Sequence, residues 1–254
     1  MNSLSHVYER ELGVRARAAT ITSVLLDSER FARWWGSGSS IAGRVGGALR
    51  IRYPNGVIAG GDVLAVQAPR RFAFSYGYES GDPVALGATR VELELEAGER
   101  ATRVRLRHLC GSERVRDLHI AGWRYQLGQL ARVACELEHA ELEPKLDAWF
   151  RAWNERDAAA RLAQLELCTH PSIEFRDAHG CVDGIAELVA HIGLAQVHMR
   201  ASRLERCGPA QQSHGTALVP WRALAADGSS LGEGTNALEL AADGRLVRVV
   251  GLWR

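Results

Sequence analysis

Residues 117–156, DLHIAGWRYQLGQLARVACELEHAELEPKLDAWFRAWNER, decide how the chain is divided. Ile120, Trp123, Leu127, Leu130, Ala134 and Leu137 recur at steps of three and four, as one buried helix face requires. Leu142, Leu146, Trp149 and Trp153 keep the same rule. Between Leu137 and Leu142 the step is five, which at ~100° per residue turns the apolar stripe by roughly 140°. A straight helix would aim its two halves at different partners. Pro144 stands where a second helix would begin, and proline is tolerated in a first turn. The stretch reads as two helices with a seam at residues 139–143, each loyal to its own core. That places one domain in residues 1–140 and a second in residues 141–254.

At 254 residues the chain has length for two proper cores. Its formal net charge of +1 gives no global attraction to nucleic acid or to an anionic membrane. Five scattered cysteines without CxxC spacing point to reduced thiols and a cytoplasmic protein rather than a disulfide framework. The N-terminal stretch is polar and does not read as a signal peptide, and no apolar run reaches the ~20 residues of a membrane helix. Lys145, the only lysine, sits beside the seam, so Schiff-base chemistry is set aside.

The first half reads as a strand at residues 14–21, a helix at 23–35, then short strands at 48–53, 57–66, 71–78, 91–96 and 102–109. Turn signals separate them: Pro54-Asn55-Gly56, Ala68-Pro69, Ser80-Gly81-Asp82-Pro83 and Ala97-Gly98-Glu99. Across Gly98, pairing residues whose numbers sum to 199 sets Glu92, Glu94 and Glu96 opposite Arg107, Arg105 and Arg103. Leu95, Leu93 and Val91 then meet Val104, Leu106 and His108 on the other face. Three arginines so paired make a poor phosphate-binding patch, and no nucleic-acid role is expected. Tyr76 and Tyr78 share a strand face with Phe72 and Phe74, and Trp123 lies on the inner face of the long helix. With His108 they have the make-up of a pocket: apolar walls with a few polar fixtures.

FARWW (31–35), IAGRVGGALRIRYPNG (41–56), GGDVLAVQAPRRFAFSY (60–76), LRHLCG (106–111) and HIAGWRYQLGQL (119–130) resemble the START/polyketide-cyclase-like (SRPBCC) superfamily. Its branch named for homology to activators of the heat-shock ATPase is the nearest. The resemblance covers about residues 8–140. It implies a helix-grip fold in which a curved sheet holds the closing helix over a cavity. Trp34, Trp35, Tyr76, His108 and Trp123 would line or border that cavity.

The second half reads as a helix at residues 142–156, its continuation or a second helix at 157–167, a strand at 172–177 and a helix at 184–192. Strands follow at 197–207, 214–223, 232–240 and 246–253, with Asp227-Gly228 and Asp243-Gly244 as hairpin turns. The fold class is α+β, with an antiparallel sheet after the helices. WFRAWNERD (149–157), SIEFRDAHGCVDG (172–184), ELVAHI (187–192) and LGEGTNALELAADGRLVRVVGLW (231–253) resemble SnoaL-like members of the nuclear transport factor 2-like superfamily. That resemblance implies an open cone holding a small apolar ligand.

Within the second cup, Asp177 ends an inward-facing set with Ile173 and Phe175. It reads either as a general acid or base in an apolar cup or as the cap of the 178–180 turn. His191 could reach the cup as a base; Asn236 shares a face with Leu238 and Leu240 and can bind without transferring a proton. His198 and His214 read as strand residues. Trp149, Trp153, Trp221 and Trp253 read as core or pocket wall. No metal-ligand spacing and no phosphate-cradling glycine loop appears, so neither metal nor cofactor is expected. The expectation is a two-domain protein that binds small hydrophobic molecules in one or both cavities, with no nucleic-acid or membrane partner. The alternatives are a cyclase-, isomerase- or hydrolase-type enzyme using Asp177 and His191, and a scaffold that forms a homodimer through the sheet of the second domain.

Overall fold

The computed structural model describes residues 4–198 and 203–254. The chain forms two compact units, Met1–Leu137 and Glu138–Arg254. Each is α+β, with one seven-stranded sheet.

The first unit runs β1 (His6–Val14), α1 (Ala18–Leu26), α2 (Ser28–Trp35), β2 (Ser40–Ile41), β3 (Ala48–Arg52), β4 (Ile58–Gln67), β5 (Arg71–Tyr78), β6 (Thr89–Glu96), β7 (Thr102–Cys110) and α3 (Glu113–Glu138). The sheet is antiparallel throughout, in the order β1-β7-β6-β5-β4-β3-β2. The β6–β7 hairpin has the register that the charge pattern predicts, with Glu92 opposite Arg107 and Val91 opposite His108. Ion pairs form at Glu92–Arg107 and Glu96–Arg103. Arg105 instead reaches across to Glu9 and Glu11 of β1. Glu92 is buried under three arginines, Arg71, Arg90 and Arg107, at 3.2, 2.8 and 3.4 Å.

The N-terminal elements differ from the expectation. The strand begins at His6, and residues 18–21, read as strand, open helix α1. The alternation of β1 is half exposed and polar, because its outer face supplies carboxylates to the arginines of β7 rather than an apolar stripe to the core. The expected single helix at residues 23–35 is two. Asp27 leaves helical geometry at φ −85°, ψ 128°, and its carboxylate accepts from the Arg30 N–H, capping α2.

Helix α3 ends at Glu138 and α4 (Glu143–Asn154) begins with Pro144 in its first turn. The inner stripe of α3 is phased on His119, Trp123, Leu127 and Leu130, so Ile120 is only half-buried.

The second unit continues with α5 (Ala158–Cys168), β8 (Thr169–Arg176), β9 (Cys181–Asp183), α6 (Ile185–His198), β10 (Arg203–Arg206), β11 (Gln211–Ser213), β12 (Thr216–Leu224), β13 (Ser230–Leu240) and β14 (Leu246–Trp253). The sheet order is β10-β12-β13-β14-β8-β9, with β11 on β12. It is not wholly antiparallel: β8, delivered by α5, lies parallel to β14. The strand expected at residues 197–207 is shorter. Leu188 and Ile192 are buried at helical spacing, α6 carries on to His198, and β10 starts at Arg203. The part of that expected strand at residues 199–202 lies outside the described residues. His198 is therefore an exposed helix residue. His214 lies in the β11–β12 turn with Gly215, both at positive φ (52° and 73°), as a two-residue hairpin turn demands.

A buried arginine ties the helices of this unit together. Arg161, 4% exposed, donates to the carbonyls of Glu155, Arg156 and Val189 and to Gln196 Oε1, at 2.8–3.1 Å. The first two are carbonyls just past the end of α4, and the others belong to α6. Arg161→Met keeps the bulk of the stem but removes the guanidinium donor from the Arg156 carbonyl and from Gln196 Oε1, and leaves the Glu155 carbonyl only the Gln196 amide. We expect it to cost the second unit about 2–4 kcal/mol. Urea unfolding followed by tryptophan fluorescence measures it; an unchanged midpoint would show that water replaces the guanidinium without loss.

Candidate functional site

In the first unit a cavity of about 500 Å³ opens between α3, the β5 strand end and the loops after β3 and β5. Its aromatic wall comprises Trp35, Tyr53, Tyr76, Tyr78 and Trp123, with His119 beside them. Leu118, Gly122 and Gln126 complete the α3 side. Asp82 at the rim is exposed.

The wall is fixed from behind by a hydrogen-bond chain. The Thr89 hydroxyl donates to the Tyr76 carbonyl at 2.8 Å, so its single proton is spent. At 2.8 Å from His108 Nε2 it must then accept, which puts the His108 proton on Nε2. His108 Nδ1 is left as the acceptor for the Trp123 indole N–H, at 2.9 Å. Burial, followed by the charge of neighbouring His119, lowers the His108 pKa to about 3. His119 has the opposite tautomer. Its Nδ1–H donates to the Val115 carbonyl at 2.6 Å, and Nε2 accepts from the Tyr78 hydroxyl at 3.2 Å. Burial lowers its pKa too, against the opposing pull of that carbonyl. Both imidazole lone pairs are thus occupied by wall residues.

Polar capacity facing the cavity comes from other groups. The Tyr53 and Tyr76 hydroxyls share one hydrogen bond of 2.9 Å, so one of their two protons is not used between them. Burial pushes Tyr53 up to about 12 and raises Tyr76 further, so both stay neutral. Among the described residues, Trp35 Nε1 and Gln126 Oε1 are buried without a hydrogen-bond partner. These groups offer hydrogen bonds suited to a neutral molecule, while both imidazoles are engaged with wall residues.

Of the residues singled out in sequence, Trp35, Tyr76, Tyr78 and Trp123 line this cavity. His108 stands behind the wall, fully buried. Trp34 packs on Trp35 at 4.6 Å and is not on the lining. Tyr53, His119 and Gln126 were not foreseen. The signal for the last two was present: both are polar residues in phase with the apolar stripe of α3.

The second unit encloses a much smaller space, about 60 Å³ among the described residues, against roughly 300–1,000 Å³ for typical ligand pockets. Trp153, Phe175, Trp221 and Trp253 wall it, with Asp177, Asn236 and Arg203 as polar lining. Trp149 is buried in the core behind. Asp177 Oδ1 accepts from the His179 N–H at 2.8 Å, closing the turn, while the side chain also borders the cavity. Asn236, 5% exposed, lies near it: a Cβ at Gly251 would meet Asp177 Cβ at 3.3 Å and Asn236 Oδ1 at 3.4 Å. His191 lies elsewhere. Its ring packs against Phe175 at 5.2 Å and over Gly180, where a Cβ would come within 2.2 Å of Cε1. No hydrogen bond or ion pair joins His191 to Asp177. Among the described residues no cluster of three His, Cys, Asp or Glu side chains could hold a metal, and no helix is long and apolar enough to cross a membrane.

The His108 chain has a pH consequence. The unfolded chain binds a proton at this histidine below about pH 6.5 and the folded chain does not until about pH 3. Its contribution to stability is complete above pH 6.5 and is lost as pH falls towards 3, by up to ~1.4 kcal/mol per unit. Urea midpoints measured from pH 7 to pH 4.5 should fall more steeply in the native protein than in His108→Gln, which does not titrate. Equal slopes would mean that the imidazole is protonated inside the fold.

Comparison with known proteins finds similarity over parts of the chain. Residues 15–134 match the family model of activator of Hsp90 ATPase homolog 1-like proteins, an SRPBCC-type match that runs from just after β1 to near the end of α3. No curated protein matches the chain. Solved structures similar to parts of it include a SnoaL-like family protein from Agrobacterium tumefaciens, at 22% identity over 46% of this chain and 98% of that one, TM-score 0.43. The Aha1 dimer of Colwellia psychrerythraea aligns at 19% identity over 48% of this chain and 90% of that one, TM-score 0.41. CalU16 of Micromonospora echinospora aligns at 27% identity over 50% of this chain and 74% of that one, TM-score 0.41.

Proposed function

We propose that this chain is a two-domain ligand-binding protein whose first domain, residues 1–140, takes a small hydrophobic molecule in a helix-grip cavity. The observation that carries the reading is the cavity itself. It has about 500 Å³ of space walled by five aromatic side chains, and its one formally charged lining residue, Asp82, is exposed at the rim. That is within the size and character of small-molecule pockets. The family match over residues 15–134 and the α+β architecture support it. Residues 141–254 form the second domain, read as a SnoaL-like cone. An enzymatic reading there needs a proton-transfer partner for Asp177. Its neighbour around Gly251 is Asn236, an amide that binds but does not exchange protons at neutral pH.

A neutral fluorescent naphthalene, N-phenyl-1-naphthylamine, tests the reading. The intact protein should bind it saturably and quench tryptophan emission as it does so. Gly122 lines the cavity, and a Cβ there meets nothing within 4 Å. Gly122→Phe should therefore fill the space without disturbing the helix, and weaken binding by about tenfold or more. Absence of saturable binding, or a Gly122→Phe variant that binds as well as the native protein, contradicts the proposal.

A further inference from the structure

Gln126 is the least explained side chain of the first unit. It lies one turn beyond Trp123 on α3, lines the cavity and is 7% exposed. Its carbonyl oxygen is fully buried, and among the described residues its amide makes no hydrogen bond. Buried amides are ordinarily satisfied, because water competes for them in the unfolded chain. The side chain that carries it borders the cavity.

We propose that the ligand of this cavity is a flat, uncharged heterocycle with a lactam edge, an adjacent N–H and C=O, that pairs with the Gln126 amide. The proposal rests on the cavity being a ligand site, and adds the class of ligand.

Three features select that chemistry. A primary amide presents one acceptor and one donor side by side, and its complement is a donor and an acceptor side by side; glutamine reads the edge of adenine in the same way. An aromatic ring suits these aromatic walls. Trp35 meets Tyr53 and Trp123 edge to face, at 6.3 and 5.6 Å with interplanar angles of 87° and 76°. Side chains three apart on a helix stand about 5–6 Å from each other at Cβ, so a ring lying against Trp123 brings its edge to Gln126. Neutrality follows from the lining. Among the described residues no lysine or arginine is on it, its one carboxylate, Asp82, lies exposed at the rim, the Tyr53 and Tyr76 hydroxyls stay protonated, and the His119 ring is held between Val115 and Tyr78. A charge on the ligand would lose its water with nothing inside to replace it. The indole N–H of Trp35, another lining residue, is likewise buried without a partner.

The test compares 2-quinolone, which has the edge, with N-methyl-2-quinolone, which keeps the ring and the carbonyl but not the N–H. Each displaces N-phenyl-1-naphthylamine from the intact protein. The expected result is an advantage of about tenfold or more for the unmethylated lactam. In Gln126→Leu that advantage should vanish while the naphthylamine is still bound. Equal displacement by the two quinolones in the native protein overturns the lactam proposal and leaves the ligand site standing. A preference that survives intact in Gln126→Leu overturns the role of Gln126. If the native protein binds neither the naphthylamine nor either quinolone, the ligand-site reading itself fails and the lactam proposal with it.

Discussion

The first unit depends on one directional chain of hydrogen bonds. It starts at the Trp123 indole on α3, passes through His108 on β7 and Thr89 on β6, and ends at the Tyr76 carbonyl on β5. Each member has its donor and acceptor roles set by the next, and all are buried, so none can be exchanged for water without loss. The chain pins the helix to three successive strands of the sheet. Hydrophobic burial brings α3 to the sheet, but burial is non-directional. It is the polar chain that sets how far the helix may rotate or slide.

The second unit solves a related problem with a different group. The carbonyls past the end of α4 turn inward, away from water, and need donors. The planar fork of Arg161 supplies both, and the Gln196 amide adds a second donor to Glu155. Among the described residues no carboxylate hydrogen-bonds to it; the cation is held by carbonyl oxygens. In each unit, then, a buried polar hub fixes a helix against its neighbours while aliphatic and aromatic packing supplies the bulk of the stability.

How much of this was legible in the sequence depended on periodicity. The β6–β7 register could be read because Glu and Arg alternate against Leu and Val, so that only one register satisfies both faces. The break after Glu138 could be read because a five-residue step and a proline coincide. Strand β1 could not, because its carboxylates serve a partner 96 residues away, and local alternation says nothing about such pairing. His119 and Gln126 escaped because a polar residue in an apolar stripe looks like a flaw in the pattern; the packing of Tyr78 and the cavity make sense of them. Trp149 and Trp153 share a helix face, and only the three-dimensional packing tells core from cavity wall. The approach of His191 to Gly180 is likewise a tertiary fact: the glycine leaves room for a ring from another element.

Tyr76 carries two duties on one residue. Its backbone carbonyl terminates the chain that holds α3, and its hydroxyl faces the cavity with Tyr53. Any force that widened the cavity by prising α3 from the sheet would have to break the chain at its buried centre. The width of the slot between helix and sheet is therefore set by the fold and does not adapt to its contents. Under the proposed ligand-binding reading a guest would have to match that width; at the rim Asn55, Ser80 and Asp82 are exposed. On that reading, guests would be told apart by thickness first, because the chain that sets the width is buried and fully paired.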